Sequence, residues 1–250
     1  GENGAGKTTL MNVLYGLYQQ EEGTVYLNGE EANFETPQDA IDAGIGMIHQ
    51  HFMLVDTMTV AENVTLGNEP RKWGGIAYDY DRAREVVREL SDRYNFDLDP
   101  DAKIEDISVG EKQRVEILKT LYRGADVLIF DEPTAVLTPQ EVEELFRIVD
   151  ELTEQGKTLI FITHKLGEAM EIADDITVLR DGVNVGTADP ETATRESLAE
   201  LMVGREVMLD VEKDEKAAGD PALSITDLVV ENDDGVRQVD EVDLTVHEGE

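Results

Sequence analysis

The 250-residue sequence predicts an α/β fold built on a mostly parallel sheet. Three observations predict it. Short apolar or β-branched runs alternate with stretches of helical periodicity. Two of those runs, Val127-Leu128-Ile129-Phe130 and Leu159-Ile160-Phe161-Ile162, are apolar without a break, as a strand covered on both faces requires. Finally, Gly1-Glu2-Asn3-Gly4-Ala5-Gly6-Lys7-Thr8 is a glycine-rich turn that feeds a helix.

Taken in order, Thr9, Leu10, Met11, Val13 and Leu14 continue that first helix. Thr36-Pro37-Gln38-Asp39 combines an N-cap, a proline at the first helical position and an acid in the first turn, opening a short helix that Gly44 stops. Ile45 to Ile48 reads as a strand. Residues 81–94 form a charged amphipathic helix, within a segment from Trp73 to Pro100 that reads as a helical insertion between strands. Ser108-Val109-Gly110-Glu111-Lys112-Gln113-Arg114 is a capping box on a helix continuing through Val115, Ile117, Leu118 and Leu121. After the strand at 126–130, Thr138-Pro139-Gln140-Glu141 opens a helix whose apolar face is Val142, Leu145, Phe146, Val149 and Leu152, closed by Gly156. The strand at 158–163 follows, then a β-hairpin over Ile176 to Ala188 turning at Asp181-Gly182. Residues 204–221 are an acidic linker by composition. Strand signals resume at Leu223.

With 56 acidic and 21 basic residues, the formal net charge is −35. A small soluble domain usually carries a net charge of magnitude about 2 to 8. Self-repulsion of this size calls for screening, and at 1 M salt the Debye length falls to roughly 3 Å; a high-salt cytoplasm is the expectation. Such a surface repels phosphate backbones, so no nucleic-acid partner is expected. No run approaches the ~18 apolar residues of a membrane span. The absence of cysteine excludes disulfides, thiolate metal sites and thiol nucleophiles. His49 and His51 share a strand face, but no third metal ligand stands nearby in the sequence.

The chemistry-bearing residues fall into two groups. In the first, the glycines of residues 1–8 let consecutive N–H groups curl around phosphates at a helix N-terminus, Lys7 adds a point charge, and Thr8 adds a hydroxyl for Mg2+. In the second, the strand ending in Asp131-Glu132 delivers two carboxylates to its C-terminal end, where open α/β sheets place their ligands. Asp131 suits Mg2+ from its second shell or through water, and Glu132 suits polarising an attacking water. Gln50 and His164 each follow an apolar strand and so reach the rim of the same sheet, and the Ser108 helix start is a second place for an anion.

Together these residues resemble an ABC-transporter ATPase. The order is Walker A (Gly1 to Thr8), Q-loop (Gln50), signature (Ser108 to Gln113), Walker B (Asp131, Glu132), D-loop (Ala135 to Thr138) and switch histidine (His164). The resemblance implies a P-loop NTPase core with a helical subdomain at about 52–124 and antiparallel β-subdomain elements. It implies ATP and Mg2+ as cofactors. Gly1, Glu2, Asn3, Gly4, Ala5, Gly6, Lys7, Thr8 and Thr9 would cradle the nucleotide, with Thr8, Gln50 and Asp131 at the metal. Glu132, His164 and Gln50 would be catalytic, and Ser108, Gly110 and Glu111 would serve the nucleotide of an opposing module. Val109 and Glu111 depart from the commonest signature wording, which has glycine and glutamine there.

The stretches Gly46 to Leu54, Thr134 to Glu141 and Leu201 to Glu206 are most similar to importers of the carbohydrate-uptake class, whose ATPase subunit carries two modules in tandem. This similarity implies a peripheral ATPase on the cytoplasmic face of the membrane, energising uptake of nucleosides or simple sugars. Its partners would be integral-membrane permease subunits, a second ATPase module and, indirectly, an extracytoplasmic solute-binding protein. The alternatives are a soluble non-transport ABC ATPase and a nucleotide-binding scaffold without turnover. Residues 222–250 resemble the opening strands of a second module, so the expectation is an internal fragment. On this reading 1–203 is a first module without its N-terminal strands, 204–221 a linker and 222–250 the start of the next.

Overall fold

A computed structural model of the chain describes residues 1–72, 75–205, 219–231 and 237–249. Trp73, most of the acidic linker (206–218), Val236 and Glu250 therefore lie outside the described residues. The chain divides into two units, Gly1–Val207 and Met208–Glu250.

The first unit begins with α1 (Lys7–Leu14), β1 (Val25–Leu27), β2 (Glu30–Ala32), α2 (Pro37–Asp42) and β3 (Ile45–Ile48). Next come α3 (Val60–Thr65), the two-residue strands β4 (Arg71–Lys72) and β5 (Ala77–Tyr78), α4 (Tyr80–Arg93) and α5 (Val109–Tyr122). The remaining elements are β6 (Val127–Asp131), α6 (Pro139–Glu154), β7 (Thr158–Ile162), α7 (Leu166–Ile172), β8 (Ile176–Arg180), β9 (Val183–Ala188) and α8 (Arg195–Val203). The central sheet is parallel in the order β3-β6-β7.

Side-chain alternation along these three strands feeds two cores. Ile48, Leu128 and Phe130 point into one, where α3, α4, α5 and α6 contribute Val64, Val87, Leu118 and Leu152. Ile45, Met47, Ile129 and Ile162 point into the other, against Met11 of α1, Ala40 of α2 and Phe34. Burial on both faces is why these strands carry almost no polar residue. A third core packs Ile176 and Val178 of β8 on Leu198 and Met202 of α8.

The helix starts are strongly determined locally. Thr36, Thr59, Ser108, Thr138 and Thr194 each close a capping box on α2, α3, α5, α6 and α8. Such reciprocal pairing satisfies two otherwise orphaned N–H groups at each start. The helix expected over 81–94 is α4, Tyr80–Arg93 with Tyr94 as its C-cap, and Ala83, Val87 and Ser91 are on its buried side. The hairpin at 176–188 turns through Asp181 (φ 51°) and Gly182 (φ 76°), the paired left-handed conformation that a two-residue turn needs.

In the second unit, β10 (Pro221–Glu231) and β11 (Arg237–His247) form an antiparallel hairpin. Its register shifts between Ile225 and Leu228, where Asp227 has a φ of 50° and its N–H is held by Asp243 Oδ1 at 2.8 Å.

Candidate active site

The glycine-rich turn sits ahead of α1 with Gly4 at φ 81° and Gly6 at φ 93°, backbone conformations that an L side chain rarely adopts. Gly6 occupies the N-cap position and supplies no side chain to it, so the N–H groups of the first turn of α1 remain directed at the loop. The turn is braced from behind. Gly182 N donates to Ala5 O at 3.1 Å, and a Cβ on Gly1 would lie 2.3 Å from the carbonyl oxygen of Leu179. Lys7 Nζ folds over the turn, donating to Gly1 O at 2.7 Å and Glu2 O at 2.9 Å. A concave run of N–H groups with an ammonium at its mouth is an anion cradle.

The ends of β6 and β7 meet this cradle. Thr8 Oγ1 donates to Asp131 Oδ1 at 3.4 Å, so α1 and β6 present two oxygens side by side. Asp131 is only 6% exposed, and burial pushes its carboxyl above the usual aspartate range although the Thr8 hydroxyl pulls the other way. Hard oxygen donors of this kind fit Mg2+. Next to it, Glu132 Oε1 lies 3.1 Å from His164 Nδ1, joining the residues that follow β6 and β7. Glu132 has a φ of 48°, an uncommon conformation for a residue with a side chain. Such a backbone costs on the order of 1–3 kcal/mol and persists only where its surroundings enforce it. Part of that enforcement is its own N–H, which donates to Ile162 O at 3.0 Å.

The other predicted residues lie elsewhere. Gln50 is exposed just beyond β3 and makes no hydrogen bond among the described residues, while the neighbouring His49 packs edge-on against Tyr15 with ring centroids 6.1 Å apart. Ser108, Gly110 and Glu111 stand at the start of α5, and no hydrogen bond or ion pair among the described residues joins them to the glycine-rich turn. Ser108 Oγ accepts from Glu111 N at 3.2 Å, and Glu111 Oε2 accepts from Ser108 N at 2.8 Å. Burial of Glu111 raises its pKa, but the Ser108 N–H and hydroxyl outweigh that and leave it below the usual glutamate range.

Two features of the site have no counterpart in the sequence motifs. Glu141, which the sequence marks as the capping acid of α6, also accepts from Gly110 N at 2.9 Å, and with the Arg114–Glu144 pair at 2.6 Å it fastens the start of α5 to α6. Behind Glu132 and His164, Glu168 gathers Thr134, Thr163 and Lys165. The Gly110–Glu141 and Thr134–Glu168 bonds join residues 31 and 34 positions apart and carry no periodicity that would announce them.

Comparison with known proteins bears on this geometry. The family profile described as "ABC transporter" matches residues 1–135. A guanosine import ATP-binding protein of Bacillus subtilis is 54% identical over 100% of this chain and 49% of its own length. A nucleoside import ATP-binding protein of Lactococcus lactis is 52% identical over the same shares, and a glucose import ATP-binding protein of Haloferax volcanii is 48% identical over 100% of this chain and 50% of its own. The chain thus spans about half the length of the curated relatives it matches. Among solved structures, an ATP-binding cassette of an ABC transporter in its ADP conformation superposes with a TM-score of 0.66 at 25% identity, covering 80% of this chain and 81% of that one. With its glycine-rich turn, Asp131, Glu132 and His164 assembled as described, the chain belongs to the ABC transporter family of ATP-binding domains.

Proposed function

We propose that the chain is part of an ATP-hydrolysing subunit that drives import of nucleosides or simple sugars, docked beneath a membrane permease. The observation that supports this reading is the Glu132–His164 contact at 3.1 Å beside the Thr8–Asp131 pair, the arrangement expected of a base and its orienting group next to an anion cradle. The first turn of α1 and Lys7 bind the phosphates of ATP, and Lys7 exchanges its carbonyl partners for phosphate oxygens. Thr8 and Asp131 would hold Mg2+, with Gln50, which follows the neighbouring strand β3, joining them in the nucleotide-bound state; the ion would neutralise charge on the transferred phosphoryl group. Glu132 takes the proton of the attacking water, and His164 fixes the Glu132 carboxylate. The pre-formed turn, held by Gly182 and Leu179, supplies positioning without reorganisation at the moment of reaction.

Ser108, Gly110 and Glu111 serve the nucleotide of a second module, which agrees with relatives twice as long as this chain. On the same grounds 1–203 is one module, 204–221 a linker and 222–250 the beginning of another. The permease provides the path and the solute specificity; no helix among the described residues is long and apolar enough to cross a membrane. The nucleoside assignment rests on the names of the relatives above 50% identity. The subunit works on the cytoplasmic face in a high-salt cell, its permease fed by an extracytoplasmic binding protein.

The test is reconstitution of the complete ATPase with its permease in vesicles. ATP-dependent uptake of labelled guanosine or a simple sugar supports the reading. ATP turnover with no stimulated uptake of any nucleoside or sugar contradicts it.

A further inference from the structure

The loops that carry Glu132 and His164 are stapled together by a group of side chains on the far side of that pair. Glu168, whose side chain is only 11% exposed, accepts from Thr134 Oγ1 and from Thr163 Oγ1, each at 2.9 Å, and pairs with Lys165 Nζ at 2.9 Å. Lys165 Nζ also donates to Thr134 Oγ1 at 3.1 Å and Thr134 O at 3.3 Å, and Lys165 N donates to Thr163 Oγ1 at 3.0 Å. Thr134, Lys165 and Glu168 are each held by at least two side chains of the group, Thr163 Oγ1 by the Glu168 carboxylate and the Lys165 N–H, and Thr134 is 3% exposed.

The placement in sequence gives the group its meaning. Thr134 lies two residues after Glu132, and Thr163 and Lys165 flank His164. Glu132 sits in a left-handed backbone conformation that its surroundings must enforce. Its N–H is fixed by Ile162 O on one side; the Thr134 contacts fix the chain on the other. An ordinary first-turn acid of a helix would reach back to its own N-cap N–H. Glu168, in the first turn of α7, instead reaches both neighbouring loops.

We propose that Glu168 and Thr134 are positioning residues for hydrolysis, holding Glu132 and His164 at hydrogen-bond distance. Neither touches the nucleotide; they act through the backbone of the two loops. A small misplacement of a catalytic group costs rate far more than binding. The inference rests on the proposed role of Glu132 as base.

The experiment measures steady-state ATP turnover of the complete protein carrying Thr134→Val, Thr134→Ser or Glu168→Gln, with Glu132→Gln as control. Thr134→Val removes the hydroxyl and keeps the volume. The expected result is a kcat lowered roughly 10- to 100-fold with KM for ATP within about twofold of the parent. Thr134→Ser, which restores the hydroxyl, returns kcat to near the parent value. Adding Glu168→Gln to Thr134→Val costs little more than either alone, because both open the same staple. Should Glu168→Gln fail to fold, the Val and Ser pair at 134 decides alone. A parental kcat in Thr134→Val overturns the proposal, as does a loss shared equally by Thr134→Val and Thr134→Ser. If Glu132→Gln itself turns over at the parental rate, the function assigned to the site fails, and this inference with it.

Discussion

Asp131 shows what the site costs at the level of one residue. Its carboxyl is buried beside Thr8, and burial makes it easier to protonate folded than unfolded. Ionisation at neutral pH therefore destabilises the nucleotide-free fold, and the cost grows as pH rises from the unfolded pKa through the raised folded one. Asp131→Asn removes the charge and keeps an oxygen for Thr8. The expected outcome is a thermal midpoint higher by about 2–4 °C, a shift that corresponds to ~1 kcal/mol in a domain of this size. Mg2+-dependent turnover falls in the same variant. Differential scanning calorimetry without nucleotide, beside an ATPase assay, checks both halves. The residues of this cradle were legible in sequence because a phosphate site demands fixed types at fixed spacings, Lys7 and Thr8 after glycines and Asp131-Glu132 after an apolar strand. Thr134, Thr163 and Glu168 obey no such spacing. In a chain with 56 acidic residues, one more glutamate carries no mark.

At the scale of elements, β3, β6 and β7 were readable because packing on both faces leaves their interior positions apolar, Val127 to Phe130 in β6 and Leu159 to Ile162 in β7. Helices α2, α5 and α6 were readable because their caps are written in neighbouring residues. Helix α3 is six residues long, like α2, and has an equally complete cap, Thr59 with Glu62, but lacks the proline at the first helical position that marks the start of α2. Contacts between elements were invisible for a different reason: the fold brings together residues such as Gly110 and Glu141, 31 positions apart. There the Glu141 carboxylate lies so close that a Cβ on Gly110 would stand 2.9 Å from Oε1. Hydrogen bonds from the Thr138 N–H, its hydroxyl and the Gly110 N–H hold Glu141 below the usual glutamate range. A depressed pKa contributes stability that is present above the unfolded value, near 4.3, and is lost as pH falls through the folded one. Glu141→Gln therefore flattens the acid limb of the stability curve between about pH 5 and 3 and leaves the neutral side nearly level. Urea titrations across that range measure it; parallel acid limbs in parent and variant would contradict the coupling.

For the whole molecule the dominant fact is a net charge of −35 carried with few partners of opposite sign. Many of the ion pairs present are exposed, such as Arg82–Glu85 and Lys103–Glu105, and pairs of that kind contribute little. Screening by salt is the remaining remedy. Lowering KCl from 2 M to 0.05 M is expected to lower the thermal midpoint by at least ten degrees, read by circular dichroism. A midpoint indifferent to salt would contradict the high-salt reading. The residues proposed to act on the nucleotide, Lys7, Thr8, Asp131, Glu132 and His164, all lie within one unit, Gly1–Val207. The central claim is that this unit hydrolyses ATP through Glu132, and the most direct measurement is ATP turnover by the complete protein with Glu132→Gln, beside nucleotide binding. The account predicts turnover at this site reduced at least about 100-fold with ATP binding retained. Undiminished turnover with binding intact would contradict it.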